Sequence, residues 1–246
     1  MWRIISLETH TAAENMAIDE AISGSISKKA SSPTIRFYKW NPSAVSIGCF
    51  QGMNDEVDTG TCERLGIEYV RRRTGGGAVY HDSEGEITYS VICPEEYFSK
   101  DIGMSYRQIC SYIVSALSDI GIGSEFRPIN DVIVNGKKIS GSAQTRRNGV
   151  ITQHGTILYK ADRDTMFSVL KPSGLKLSDK PVKSFKDGIT SVSEICDVTG
   201  QELYYALLHR FTEEKEHYFG RLNEEEIQRV NELISKYVSR SWNFSR

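Results

Sequence analysis

No apolar run in the 246-residue chain is long enough to cross a membrane. Its opening, MWRIISLETHT, turns polar too soon for a signal peptide. Net charge is small: 30 Lys and Arg against 32 Asp and Glu leave a formal −2, which argues against a surface built for nucleic acid or for a membrane. The five cysteines (Cys49, Cys62, Cys93, Cys110, Cys196) are scattered and never spaced CxxC. Neither a zinc site nor a disulfide framework is indicated, and reduced thiols in a cytoplasmic protein are the expectation. Repeats, low-complexity tracts and linkers are all lacking, so one domain over residues 1–246 is the economical reading. Three familiar signatures are missing too: the GxxxxGK[ST] phosphate loop, the GxGxxG dinucleotide fingerprint and the GxSxG nucleophile elbow.

The elements that are present predict an α+β fold, with mixed sheets flanked by helices. Thr11 with Glu14 three residues on, and Thr199 with Glu202, are capping-box starts to helices. TIRFYKW and AVSIGCF, parted by Asn41-Pro42, read as strands, as do IEYVRRR, GAVYH, EITYSVI, DVIVNGKKIS and VITQHGTILYK. NDEVDTGTCERLG reads as one short helix and YRQICSYIVSALSDIG as a longer one. Asn135-Gly136 and Asn148-Gly149 are hairpin turns. The tail, from TGQELYYALLHRFTEEKEHYF through NEEEIQRVNELISKYVSRSW, reads as helical.

RRRTGGGAVYHD, residues 71–82, places the glycines between two strands. Glycine frees the backbone to approach a ligand, successive amides form an anion-binding concavity, and arginine pairs with phosphate or carboxylate oxygens. The alternative is a flexible hairpin with solvated arginines. Val79 and Tyr80 suggest a packed wall, and His81-Asp82 a titratable pair, though a histidine there serves equally as a structural hydrogen bonder.

A second cluster spans residues 129–156: Asn130-Asp131 before a strand, Lys137-Lys138 after a turn, then SGSA, and His154-Gly155. Both lysines fit a solvated hairpin. Adjacent strand residues face opposite ways, however, so if Lys137 is solvated Lys138 points inward and needs an anion.

Together RRRTGGGAVYHD, NDVIVNGKKISGSAQTR, QHGTIL and KDGITSV resemble the lipoate–protein ligase family, over about Ile35 to Val192. The resemblance implies a fold shared with biotin–protein ligases. It also implies ATP- and Mg²⁺-dependent activation of lipoic acid to lipoyl-AMP, then transfer to a lysine of a lipoyl carrier domain (H protein or a 2-oxoacid dehydrogenase acyltransferase subunit). Carried over by position, Arg72, Thr74 and the Gly75, Gly76, Gly77, Ala78, Val79, Tyr80 turn would hold nucleotide phosphates, with Asn130 and Asp131 near the adenylate and Asp131 a metal ligand. Lys138 would be the catalytic cation bridging carboxylate and α-phosphate. His81, Gly76, Gly141, Ser142 and His154 would line the substrate pocket.

Related octanoyl- and lipoyltransferases share the fold but use a cysteine. Here GIGSEFRPIN and LKPSG (Ser173) stand where that residue is expected, so the ligase is the favoured expectation. The alternatives are acyl transfer between carrier proteins, a non-catalytic lipoate-binding subunit and, more weakly, a biotin ligase. Many such ligases carry a C-terminal accessory domain; the chain stops at SRSWNFSR, so a separate small accessory subunit is a further expectation.

Overall fold

The computed structural model describes residues 1–171 and 187–246. The strands are β1 (Trp2–His10), β2 (Thr34–Trp40), β3 (Ala44–Ile47), β4 (Glu68–Arg71), β5 (Val79–His81), β6 (Glu86–Pro94), β7 (Glu125–Arg127), β8 (Asp131–Val134), β9 (Lys137–Arg147), β10 (Val150–Leu158) and β11 (His217–Phe219). Eight form a mixed sheet in the order β11-β1-β2-β6-β10-β9-β8-β7, and three a small sheet in the order β4-β3-β5. The helices are α1 (Ala12–Ser27), α2 (Met53–Glu56), α3 (Thr59–Leu65), α4 (Ile102–Asp119), α5 (Arg163–Val169), α6 (Gly200–Thr212), α7 (Glu224–Val238) and α8 (Arg240–Asn243). The fold is α+β, as expected.

Strand alternation decides which helices cover which face. On β2, Ile35 and Phe37 pack with Ile109, Ile113 and Leu117 of α4 and Leu207 and Phe211 of α6. Tyr38 and Trp40 point the other way, among Met16 and Ile22 of α1 and Val230, Leu233 and Tyr237 of α7. Both capping boxes form, at Thr11 and Thr199. Both Asn-Gly turns adopt positive φ at each residue (49° and 78°, 52° and 74°), which turns β8 into β9 and β9 into β10.

Two local readings differ from the structure. Residues 53–65 form two helices, because buried Val57 is extended and bridges Leu170, and Asp58 then caps α3 through the Thr61 amide. In the tail, α6 stops at Thr212; Glu214 turns left-handed, and His217–Phe219 lies parallel to β1. The charged run after Phe211 has no apolar face to bury, so pairing with the open edge of β1 prevails.

Candidate active site

The glycine turn is not a hairpin. β4 runs parallel to β3 and β5 antiparallel to it, on opposite sides, so the turn passes over the end of β3. Its centre is the buried Arg72. Nε donates to Thr74 Oγ1 (3.0 Å), Nη1 to the Ser46 carbonyl and hydroxyl (both 3.1 Å), and Nη2 to the carbonyls of Gly75 and Gly77 (both 2.7 Å). Burial lowers its pKa to about 10, so it stays charged at neutral pH. Gly76 takes φ +91°, and a Cβ on Gly48 would lie 2.2 Å from the Gly76 carbonyl oxygen. The glycines therefore allow a close backbone crossing as well as an open approach.

These arginines, expected to meet a ligand's phosphates, find hydrogen-bond or ion-pair partners within the protein. Arg71 donates to the carbonyls of Gly48, Gln51, Trp242 and Asn243, and Arg73 faces Glu20 at 3.7 Å. Each arginine organises the protein around the turn. The Asp82 carboxylate, next to His81 in sequence, accepts from the Glu84 and Gly85 amides.

On the β8–β9 hairpin Lys137 is exposed and Lys138 half-buried, its Nζ 2.6 Å from Asp131 Oδ1. A Cβ on Gly141 would sit 2.5 Å from that Nζ, so glycine there makes room for the lysine. Asp131 Oδ2 accepts from Arg127 Nη2 at 2.9 Å. The Asn130 side chain donates to the Ser142 carbonyl, and the Ser142 amide to the Asn130 carbonyl (2.9 Å). With both oxygens of Asp131 facing cations, and no other carboxylate among the described lining residues, the group does not fit a divalent metal. No cluster of three or more His, Cys, Asp or Glu suited to a metal occurs among the described residues.

The two clusters meet across one cavity of about 560 Å³. Arg72, Gly76, Gly77, Ala78, Val79 and His81 line one side, and Asn130, Asp131, Lys138, Gly141, Ser142 and His154 the other. Three expected site residues lie outside it. Thr74 and Gly75 bond Arg72 from behind, and Tyr80 turns into the core of the small sheet beside Val45, Ile47 and Met53. Sequence reasoning missed Met16, Tyr38 and Trp40, which form an apolar wall, and Ser46. Their signal lay in alternation: Tyr38 and Trp40 share one face of β2, toward α1. None of the five cysteines lines the cavity. Cys110 lies behind it, its Sγ 3.7 Å from Ser142 Oγ, its thiol pushed up to about 11 by burial. Ser173 lies outside the described residues.

Two imidazoles flank the turn. His81 is buried and stacked on Trp40 (centroids 3.9 Å apart); Nδ1 is 2.7 Å from Glu86 Oε1 and Nε2 2.8 Å from Ser46 Oγ. His154 places Nε2 2.8 Å from Thr74 Oγ1 and Nδ1 3.3 Å from Asp19 Oδ2. Arg72 only donates, so each hydroxyl accepts from it and retains a proton for the adjacent Nε2. A tautomer with Nδ1–H directed at the carboxylate satisfies all of these contacts in both rings. Burial holds the His154 pKa below the ordinary histidine range, against the pull of Asp19. For Asp19 burial acts upward, but the hydrogen bond from His154 and the charge of Arg36 outweigh it and hold the pKa below the usual carboxylate range.

Comparison with known proteins places these features in context. Residues 11–212 match the family described as the lipoyl protein ligase A/B catalytic domain. Over 272 aligned positions the chain is 35% identical to a protein of Clostridioides difficile named octanoyltransferase LipM, covering 100% of this chain and 99% of that one. The LipM octanoyltransferase of Kyrpidia tusciae is 34% identical with the same coverage. Among solved structures, the bipartite lipoate protein ligase of Thermoplasma acidophilum, described with its E2 lipoyl domain, superimposes with a TM-score of 0.86 at 31% identity, over 98% of this chain and 95% of that one. The similarity to octanoyltransferases from end to end overturns the expectation of an ATP-dependent lipoate ligase. The absence of a cysteine from the two expected places does not separate the two classes, since the chain is similar both to octanoyltransferases and to a ligase structure.

Proposed function

The chain belongs to the lipoyl protein ligase A/B catalytic-domain family, and from that premise we propose that it transfers an octanoyl group between carriers, from a carrier thioester to the lysine of a lipoyl domain such as H protein or a 2-oxoacid dehydrogenase acyltransferase subunit. The observation that carries this reading is the full-length similarity to octanoyltransferases. The cavity supports it. At about 560 Å³ it falls within the roughly 300–1,000 Å³ common for small-molecule sites. Met16, Tyr38, Trp40 and Val79 offer an alkyl chain an apolar wall, while Lys138 brings a cation to the opposite side.

A thioester is already an activated acyl donor. The site must orient it, balance charge on the carbonyl oxygen and accept a proton from the incoming amine. In this reading Lys138, steadied by Asp131, balances the oxyanion, and Asn130 locks the strand that carries Gly141 and Ser142. His81 and His154 are the bases within the cavity. The reaction requires neither ATP nor Mg²⁺.

The test is to mix the purified chain with an octanoyl-carrier thioester and a lipoyl domain and to follow the intact mass of the acceptor. One octanoyl group is expected on the acceptor lysine without nucleotide. Acylation that occurs only from free octanoate or lipoate with ATP refutes the reading. Lys138→Ala is expected to slow transfer about 10²–10³-fold, as for loss of one preorganised charge contact.

A further inference from the structure

We infer that the acyl group in transit is held as an ester on Ser46, with His81 as its base and Glu86 orienting His81. The inference rests on the transfer reading above and supplies the acyl-holding group that a cavity without cysteine lacks.

Among the hydroxyls of the described residues that line the cavity, Ser46 is the one hydrogen-bonded to an imidazole. The geometry is that of a nucleophile, base and orienter in series. Ser46 Oγ lies 2.8 Å from His81 Nε2, and His81 Nδ1 lies 2.7 Å from Glu86 Oε1. Glu86 is buried and fixed in turn: Oε1 also accepts from Thr88 Oγ1 at 2.9 Å, and that hydroxyl accepts from Trp40 Nε1 at 2.9 Å. Trp40 also stacks on the His81 ring, so one indole sets both the plane of the base and the position of its carboxylate. Arg72 Nη1 reaches Ser46 Oγ at 3.1 Å. A guanidinium beside the hydroxyl stabilises negative charge on that oxygen, both as it attacks and as it later departs. Thr74 has a similar chain behind it, from Asp19 through His154, but does not line the cavity. The alternative thiols are poorly suited: Cys110 is buried behind Ser142, with its pKa raised by burial.

The steps balance as follows. Ser46 Oγ attacks the thioester carbonyl carbon while its proton passes to His81 Nε2. The C–S bond breaks, and the departing sulfur takes that proton to leave as a thiol. The neutral amine of the acceptor lysine then attacks the Ser46 ester and gives a proton to His81. The C–Oγ bond breaks, Oγ recovers the proton, and an amide remains on the acceptor. Lys138 is the cation facing the cavity for the two tetrahedral oxyanions, while Arg72, its N–H groups held by Ser46, Thr74, Gly75 and Gly77, contributes its charge beside Ser46 Oγ.

The experiment incubates the full chain with an octanoyl thioester in the absence of acceptor, quenches with acid, and reads the intact mass and the fragmented peptides. One octanoyl group on Ser46, released when the lipoyl domain is added, is the expected result. Ser46→Ala should lose the adduct and about 10³-fold or more of turnover. Ser46→Cys removes any doubt about folding: it should still take the acyl group, now as a thioester cleaved by neutral hydroxylamine. The inference is overturned if the adduct maps to any other residue or if Ser46→Ala transfers at the wild-type rate. Loss of turnover in Ser46→Ala with no adduct on the wild type also overturns it and leaves Ser46 a positioning residue for His81. If the wild type moves no octanoyl group from a thioester to the acceptor, it is the transfer reading itself that fails.

Discussion

On one side of the glycine turn a carboxylate, an imidazole and a hydroxyl (Glu86, His81, Ser46) lead inward to Arg72; on the other, Asp19, His154 and Thr74 do the same. Their outer ends differ. Asp19 is saturated: Oδ1 accepts from Arg36 Nη1 at 2.9 Å, and Oδ2 from Ser90 Oγ at 2.6 Å as well as from His154. Arg36 is fully buried, its guanidinium 4.0 Å from the Tyr38 ring centre. Glu86 has only His81 as a charge partner among the described residues, and its second oxygen has no hydrogen-bond partner there. The first side exposes its hydroxyl to the cavity and the second does not. The Asp19 relay ties α1 to β2, β6 and β10, whereas the Glu86 relay is free to exchange a proton with something in the cavity.

The largest effect expected from this contrast is on stability. Asp19→Ala leaves Arg36 as a buried cation without its carboxylate, a defect that costs about 3–5 kcal/mol. Urea unfolding should show the loss as a lower midpoint. A loss below about 1 kcal/mol would break the comparison, by making the Asp19 side no more structural than an ordinary hydrogen bond.

The next effect runs the other way. Glu86→Gln keeps the side-chain shape but lets an amide N–H face His81 Nδ1, which favours the wrong tautomer for accepting a proton at Nε2. Turnover should fall about 10²–10³-fold, in the range seen when a general base is impaired, with unfolding changed by about 1 kcal/mol or less. Loss of stability with activity retained would show that Glu86 serves packing, and the distinction between the two relays would disappear.

The contrast also separates what the sequence makes legible from what it hides. The Asn135-Gly136 and Asn148-Gly149 turns, the capping boxes at Thr11 and Thr199 and the strand character of TIRFYKW are local properties, written within a few residues of each other. The Gly76–His81 and Lys138–Ser142 segments were legible as chemistry because unusual residues cluster there in sequence. Asp19, Met16 and Ser46 were not. Asp19 is one acid among several in a helix, and its role appears only when β2 and β10 bring Arg36 and His154 to it. An arginine before glycines suits a phosphate ligand, and nothing local reveals that backbone carbonyls of its own turn occupy Arg72. The helical reading of the tail failed for a related reason: the free edge of β1, more than 200 residues away in sequence, competes for His217–Phe219.

The smallest expected effect is one of sign, and it isolates His154. The groups acting on its charge are Asp19, Arg72 and His81. Its folded pKa lies below the ordinary value, chiefly through burial, so between the folded and unfolded values the unfolded chain binds more protons and stability rises with pH. The contribution is complete above the unfolded value, near 6.5, and is lost as pH falls toward the folded one. Asp19, also lowered, adds a loss of the same sign at more acid pH, since its contribution is present above the unfolded carboxylate pKa of about 3.9. Unfolding midpoints measured between about pH 7 and pH 5 should therefore decline in the wild type and decline less in His154→Gln, which has no imidazole to protonate. An equal decline in both would show that the titrating group is not His154.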